Sequence, residues 1–173
     1  MIVPVSGDRV ERYCTWEVTM SDKRLAADVD ALIVPELLWR QVLRHLEAAL
    51  PNEGVGLGGV VTREDGERTV ATMRSFHPGR NTRLSPTRFE LDIRDLVASL
   101  RMIEEAGQEL GAIVHSHPQG EPRPSRTDLA EAYYPEALMV IVSFKGEVPM
   151  TKAWRIEGEE GARTPVEVPM IVG

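Results

Sequence analysis

The fold is decided around a short apolar stretch that ends in two histidines, LGAIVHSHP at residues 110–118. The residues before the histidines are uncharged and mostly apolar, which is typical of a short buried strand. On a strand, side chains at positions i and i+2 point to the same face, so His115 and His117 should lie side by side. Pro118 should end the pairing of the strand. The stretch therefore predicts two imidazoles presented together at a strand end.

A carboxylate follows eleven residues after His117, in the sequence PSRTD at residues 124–128. A serine, an acid three residues later and then apolar residues are typical of a helix start, with Ser125 as N-cap and Asp128 in the first turn. Two imidazoles and one carboxylate suit a catalytic zinc site, which takes three protein ligands and keeps one position open. Taken alone, the Ser-x-x-Asp pattern indicates only a capping box, and paired histidines on a strand are more often ordinary surface or core residues.

A metal hydrolase also needs a general base, and Glu53 is the candidate. It lies after an apolar-periodic helix and before a predicted strand, in the glycine-rich sequence PNEGVGLGG at residues 51–59. A carboxylate at such a junction could take a proton from the attacking water and later give it to the leaving amine. The alternative is a solvent-facing glutamate in a glycine-rich turn, and the turn by itself favours that alternative.

Taken together, these motifs resemble those of a known family. The glutamate near a proline and a glycine, then HSHP, then PSxxD look like the JAMM (MPN-plus) zinc metalloproteases. The resemblance runs from about Ala31 to the C-terminus, and residues 81–90, with Arg88 and Phe89, also look like the lead-in to a strand in bacterial members. The metal motif is the specific part of this resemblance.

The resemblance implies a role for each motif residue. The ligands of one zinc ion per chain would be His115, His117 and Asp128. Glu53 would be the general acid and base, and the Ser125 hydroxyl would hydrogen-bond the oxyanion of the tetrahedral intermediate. One position departs from bacterial members, which often carry a cysteine two residues after the glutamate, where this chain has Val55. The departure does not affect the expected chemistry, but the sequence leaves the shape of the local substrate groove undetermined.

Composition is that of an ordinary soluble globular chain. The 173 residues suit one domain with a sizeable core, and 42% of them are hydrophobic and 27% charged. The net charge of −7 argues against a nucleic-acid binder. Cys14 is the only cysteine, which excludes an internal disulfide and fits a reducing cytoplasm. No signal peptide is expected, and no apolar run approaches the ~20 residues of a membrane span, so we expect a cytoplasmic protein without membrane contact.

Hydrophobic periodicity predicts a mixed α/β fold, a curved mixed sheet with packed helices, and the resemblance implies the same MPN/JAMM-like, cytidine-deaminase-like architecture. Residues 1–30 are predicted to be an N-terminal extension that adds a strand around residues 13–20, and residues 31–173 to be the metalloprotease domain. Four local expectations are a hairpin turn at Asp65-Gly66, a loop at residues 77–81, a strand at residues 88–91 and one final strand at residues 165–172.

The function predicted from these features is zinc-dependent hydrolysis of an amide or isopeptide bond. The chain lacks the length for the large insertions with which eukaryotic deubiquitinases grip ubiquitin, so the resemblance implies a bacterial-type substrate, the C-terminal tail of a ubiquitin-like or sulfur-carrier protein. The glycines of residues 54–59 could line a narrow channel for a Gly-Gly tail. Two alternatives belong to other classes: a catalytically silent scaffold of the same fold, and a DNA-repair-associated protein resembling the RadC-type domain. The oligomeric state stays open.

Overall fold

The computed structural model describes residues 29–173. The strand expected around residues 13–20 and Cys14 lie outside the described residues, and the division into an extension and a domain at residue 30 stays a prediction. The strands are β1 (Val29–Val34), β2 (Val55–Asp65), β3 (Arg68–Gly79), β4 (Glu109–His117), β5 (Leu138–Ser143), β6 (Met150–Glu157), β7 (Thr164–Val168) and β8 (Met170–Val172). The helices are α1 (Glu36–Ala48), α2 (Ile93–Glu105) and α3 (Arg126–Ala130).

The strands form one curved mixed sheet in the order β7-β6-β5-β4-β2-β3-β1-β8. Its two edge strands are consecutive in sequence, because the chain leaves β7 at Val168, passes Pro169 and enters β8 at the opposite edge. The Leu32 amide donates to the Pro169 carbonyl at 2.9 Å, and Arg155 Nη1 donates to the Val29 carbonyl at 3.2 Å. The sheet is therefore nearly closed, and the mixed α/β fold expected from the sequence is confirmed.

Apolar side chains fill cores on the two faces of this sheet. The larger core combines alternate residues of β4 and β5 with the buried face of α1, and includes Ala112, Val114, Val140, Val142, Trp39, Val42 and Leu46. The smaller core lies on the other face, where Met139 and Ile141 pack near α3. Because strand residues alternate between faces, the odd-numbered residues at the end of β4 point away from α1. No helix among residues 29–173 is long and apolar enough to cross a membrane.

The glycine-rich segment expected to be a turn forms the beginning of β2, in the middle of the sheet between β3 and β4. Glycine has a low strand propensity, but larger residues do not fit here. A Cβ on Gly54 would lie 3.0 Å from the Leu46 backbone in α1, and a Cβ on Gly56 would lie 2.6 Å from Cε2 of Phe76. These glycines face the α1 core. The α1 side of these glycines is therefore packed. A channel along residues 54–59 stays a prediction for the opposite side of the strand, where Val55 and Leu57 line a cavity.

The predicted hairpin is confirmed and the predicted final strand is not continuous. Gly66, with a φ of 65°, lies in the two-residue turn between β2 and β3, where glycine adopts positive φ without a steric penalty. The final segment is divided at Pro169 into β7 and β8. Proline has no amide to donate to a ladder, which explains why the chain changes edge at that residue.

The segment between β3 and α2 differs most from expectation. The loop expected from residue 77 begins only after Gly79, because β3 continues that far. The strand expected at residues 88–91 is wrong, since the structure has a single isolated bridge there, between Asn81 and Leu91. Asp92 then caps α2, and its side chain accepts hydrogen bonds from the amides two and three residues later. Residues 81–91 are therefore an irregular loop anchored at both ends.

Candidate metal centre and active site

Both histidines lie at the end of β4, on the face opposite the α1 core. His115 is fully buried and His117 is 8% exposed. Their Nε2 atoms lie 3.2 Å apart, as the alternation of the strand requires. The strand end is held on both sides, because His115 pairs with Val55 of β2 and with Ile141 of β5. The two imidazoles are therefore fixed by the centre of the sheet and not by a mobile loop.

Asp128 enters the same site from the first turn of α3. Its amide donates to Ser125 Oγ at 3.1 Å, and the Ser125 amide donates to Asp128 Oδ2 at 2.7 Å, which completes a capping box. The same Oδ2 lies 3.4 Å from His117 Nε2 and 3.8 Å from His115 Nε2. The three potential ligand atoms all lie within 4.8 Å of one another. The capping box and the candidate metal group thus share one carboxylate and are not alternatives.

The donor atoms of this group suit a metal ion. His117 Nδ1 donates to the Glu121 carbonyl at 2.7 Å, which leaves the Nε2 lone pair facing Asp128. His115 Nδ1 is buried without a hydrogen-bond partner in residues 29–173, and the Phe89 ring packs on this imidazole with centroids 4.6 Å apart. Lone pairs that converge in a buried space repel each other unless a cation or a proton lies between them. Two imidazoles and a carboxylate fit a borderline cation such as zinc.

The charges of the three side chains are strongly coupled. Burial lowers the pKa of His115 and keeps it neutral. Burial alone would raise the pKa of Asp128, but the two imidazoles and Ser125 outweigh that effect and hold the pKa well below its usual range. Burial also disfavours the charged form of His117, yet Asp128, the Glu121 carbonyl and Glu53 leave its pKa raised. A metal ion at this group would therefore have to displace a proton from His117.

Glu53 lies two residues before the start of β2 and is only 3% exposed. Burial raises its pKa to about 7, with His117 lowering it and Asp128 raising it further. Its Oε2 atom is buried and has no hydrogen-bond partner in the described part of the chain. The solvent-facing alternative is therefore wrong. A carboxyl group with a pKa near neutrality can both accept and release a proton at neutral pH.

Ser125 is exposed at the start of α3. In the capping box its hydroxyl oxygen accepts the Asp128 amide, so the hydroxyl hydrogen is still available to donate to a substrate atom. The cap fixes the hydroxyl next to the Asp128 carboxylate. Its role as an oxyanion donor stays a prediction, as do the roles assigned to the other motif residues.

An apolar cavity of about 320 Å³ adjoins the candidate metal group of His115, His117 and Asp128. Its floor is the α3-side face of the sheet, and its walls are the loop of residues 81–91 and the segment after α3. The lining includes Val55, Leu57, Ile113, Met139, Phe89, Leu91, Tyr134 and Asp128. The sequence did not predict this cavity because its walls come from separate segments. One signal was present: Val55 and Leu57 alternate with the glycines of β2, as expected for a strand with two different faces.

Two polar side chains that sequence reasoning left without a role hold the backbone around Glu53. Ser116 lies between the two histidines but points to the other face, where its Oγ accepts the Gly54 amide at 2.8 Å. Asn81 Nδ2 donates to the Glu53 carbonyl at 2.9 Å, and the Glu53 amide donates to the Ser85 carbonyl at 2.9 Å. Strand alternation could have singled out Ser116, whereas no local pattern pointed to Asn81.

The chain is similar to several characterised proteins. A family model described as prokaryotic homologs of the JAB domain matches residues 35–157. Desampylase from Haloferax volcanii is 31% identical over 131 residues, which cover 75% of this chain and 87% of the relative. CysO-cysteine peptidase from Mycobacterium tuberculosis is 32% identical over 116 residues, which cover 66% of this chain and 75% of the relative. A probable TtuB-protein conjugate cleaving protease from Thermus thermophilus is 37% identical over 102 residues, covering 58% and 63%.

Solved structures show the same likeness. The solution structure of a protein from Desulfitobacterium hafniense superposes with a TM-score of 0.69 at 26% identity, covering 82% of this chain and 92% of that one. A protein from Salinibacter ruber gives a TM-score of 0.56 at 27% identity, covering 80% and 90%. The matched family region contains Glu53, both histidines, Ser125 and Asp128, so the resemblance stated from these motifs is confirmed. The chain belongs to the family of prokaryotic homologs of the JAB domain.

Proposed function

We propose that this chain is a zinc-dependent peptidase or isopeptidase, with one zinc ion per chain, that hydrolyses the amide bond after the C-terminal tail of a ubiquitin-like or sulfur-carrier protein. The observation that carries the proposal is the buried group of His115, His117 and Asp128 next to a buried Glu53 with a pKa of about 7. The names of two relatives specify cleavage of a TtuB–protein conjugate and of CysO–cysteine, which supports a bond between a protein and an amine as the target.

His115, His117 and Asp128 would hold the zinc ion. When bound, zinc would supply Lewis acidity, which lowers the pKa of water toward about 7 and polarises a carbonyl group. The pKa shifts of His115 and Asp128 keep both in their ligand forms at neutral pH. His117 is the ligand that would have to give up a proton, so we expect metal binding to weaken as the pH falls.

The other residues of the site can carry out the proton transfers of hydrolysis. The Glu53 carboxylate takes a proton from the attacking water as the water oxygen bonds to the substrate carbonyl carbon. The carbonyl oxygen gains negative charge, and the Ser125 hydroxyl donates a hydrogen bond to it. Glu53 then gives the proton to the leaving nitrogen, the C–N bond breaks, and a carboxylic acid and an amine are released. The pKa of about 7 places Glu53 where it can serve in both steps.

The apolar cavity supports an extended protein tail as the substrate. It adjoins Asp128 and, at about 320 Å³, has room for an apolar side chain from a bound segment. An extended segment turns alternate side chains to opposite sides, so some could enter the cavity while the scissile carbonyl lies at the ligand group. Glycine at the cleaved end would let the carbonyl carbon approach closely, because glycine has no Cβ.

The test uses the zinc-loaded protein and a defined probe. The probe is a ubiquitin-like protein of the same organism, joined through its C-terminal Gly-Gly to the lysine ε-amine of a fluorescent peptide. We expect cleavage after the second glycine, identified by mass spectrometry. Glu53→Gln should keep its zinc and its fold and lose turnover by about 10²-fold or more, because proton transfer by a positioned side chain contributes on this scale.

Three outcomes would contradict the proposal. Wild-type turnover in Glu53→Gln would remove Glu53 from the reaction. Equal cleavage of probes that end in Gly-Gly and in Ala-Ala would remove the tail assignment even if the zinc site remained. A zinc-loaded protein that binds the probe and leaves it intact would be a catalytically silent scaffold. The presence of all five motif residues, with Glu53, His115, His117 and Asp128 buried, disfavours that alternative.

A further inference from the structure

The loop of residues 81–91 is held by side chains and not by a sheet ladder. It lies between β3 and α2 and has a single backbone bridge, between Asn81 and Leu91. It nevertheless forms one wall of the apolar cavity through Phe89 and Leu91, and the Phe89 ring packs on His115. An irregular segment in this position needs polar contacts to fix its backbone, because its amides and carbonyls lack regular partners.

Asn81 supplies most of these contacts. Its Nδ2 donates to the carbonyls of Glu53 at 2.9 Å and Arg88 at 3.0 Å. Its Oδ1 accepts the amides of Arg83 and Glu90, each at 3.0 Å. The carboxamide therefore uses two donors and two acceptor sites, which is its full hydrogen-bonding capacity. Three of its four partners belong to the loop and the fourth is the backbone of Glu53.

No other side chain of this length satisfies all four partners. Two of them are carbonyls, which need donors, and two are amides, which need acceptors. Aspartate would keep the acceptors and would place a negative charge against the Glu53 and Arg88 carbonyls. Leucine would match the shape and lose every bond. The four partners also fix the orientation of the carboxamide, since turning it over would place Nδ2 against two amides.

We propose that Asn81 is a positioning residue for the hydrolysis proposed above, and that its carboxamide sets Glu53 and the cavity wall in one fixed relation. The expected effect on turnover rests on the proposed function. The expected effect on the position of Glu53 rests on the hydrogen bonds alone. The Glu53 carboxylate has an unpartnered oxygen within the described residues, so its place depends on its backbone. Asn81, Ser85 and Ser116 supply the contacts that hold that backbone.

The experiment compares Asn81→Asp, Asn81→Leu and a matched control, Thr82→Val. Thr82 lies in the same loop, and its hydroxyl donates to the Glu90 carbonyl at 3.1 Å without touching Glu53. In Asn81→Asp we expect kcat on the Gly-Gly probe to fall about 10- to 100-fold, since a displacement on the order of 1 Å has effects of this size. Zinc content should stay unchanged, and Thr82→Val should stay within about twofold of wild type.

Amide hydrogen exchange gives a readout that does not depend on activity. In Asn81→Asp the Glu53 amide should exchange faster, because its acceptor is the Ser85 carbonyl of the loop and the loop loses its Asn81 bond to the Glu53 carbonyl. The amides of Arg83 and Glu90 keep their acceptor and their protection. In Asn81→Leu all three should exchange faster. Failure of the wild type to cleave the probe would refute the proposed function and leave this readout intact. Glu53 exchange in Asn81→Asp equal to wild type, or a kcat equal to that of Thr82→Val, would overturn the positioning role.

Discussion

The paired strands β2 and β4 have two faces of different composition, although residues of the two faces follow one another alternately along each strand. On the α1 face lie glycines and apolar side chains, such as Gly56 and Val114, that admit close packing. On the other face lie His115, His117 and the floor of the apolar cavity. The first face contains packed apolar groups and glycines at these positions, whereas the second combines apolar side chains with buried titratable groups that contact one another.

The contrast shows where the positions of the reactive groups come from. Within residues 29–173, His115 Nδ1 and Glu53 Oε2 are buried without hydrogen-bond partners, which is costly in a folded protein. These groups are held through their backbone. Packing and the Ser116 hydroxyl fix that backbone on the α1 face, and Asn81 and Ser85 fix the backbone of Glu53 from the loop of residues 81–91. Changes on one face should therefore affect stability, and changes on the other should affect metal binding and turnover.

The largest effect should come from removing the two imidazoles. The His115→Ala, His117→Ala double variant should fall from about one zinc per chain to none and lose all cleavage of the probe, because Asp128 alone does not form a site. Metal analysis after gel filtration measures the zinc. His77→Ala is the matched control, since His77 lies in β3 and its Nε2 pairs with Ser75 Oγ at 2.9 Å. Full zinc occupancy in the double variant would show that the two histidines do not bind the metal ion.

Ser125→Ala should lower kcat by about 10²–10³, the usual effect of losing one oxyanion donor. Ser125→Thr keeps a hydroxyl and the N-cap and should retain most of the activity. Loss of the cap in Ser125→Ala costs about 1 kcal/mol of stability, which a thermal melt detects separately. Equal kcat values for the alanine and threonine variants would show that the hydroxyl serves only the helix cap.

Glu53→Gln should change the pH dependence of stability in the metal-free protein. Burial raises the pKa of Glu53 from its ordinary value of 4.5 to about 7 in the folded protein, so protonation of Glu53 stabilises the folded state. That contribution is fully present below pH 4.5 and is lost as the pH rises to about 7. Glutamine does not titrate, so Glu53→Gln should gain up to roughly 3 kcal/mol over wild type between pH 4.5 and pH 8. Urea unfolding at both pH values tests this, and a constant difference would mean that burial does not raise the pKa.

Gly56→Ala should give the smallest of these effects and act on the opposite face. The added methyl would lie 2.8 Å from the His77 carbonyl as well as close to Phe76, and overpacking of this kind costs about 1–3 kcal/mol. Zinc binding should be retained. Gly146→Ala, whose methyl would have the nearest atom at 3.7 Å, should stay within about 0.5 kcal/mol. Loss of zinc without loss of stability in Gly56→Ala would contradict the division between the faces.

The candidate metal group was predictable because its signals are local. The spacing of His115 and His117 on a strand and of Ser125 and Asp128 at a helix start each follow from backbone geometry over a few residues. Their convergence was implied by the family resemblance. The structure adds the distances, the burial and the pKa shifts that make the group fit a metal ion.

The features that escaped prediction depend on partners distant in sequence. Gly56 belongs to a strand because Phe76 occupies the space of its side chain, and propensity alone favours a turn. The strand expected at residues 88–91 does not form, and the carboxamide of Asn81, seven or more residues earlier, binds backbone groups there. The cavity escaped prediction for the same reason, because several segments form its walls.

The crossing of the chain at Pro169 has a consequence for the order of folding. It brings Met170 beside Leu32, two residues that are far apart in sequence. Closing so large a loop is entropically unfavourable until the intervening strands have assembled. β8 has only three residues, so little local free energy holds it in place. Closure of the sheet should thus be a late event in folding and an early one in unfolding, and the seam between β1 and β8 is where the native protein should first open.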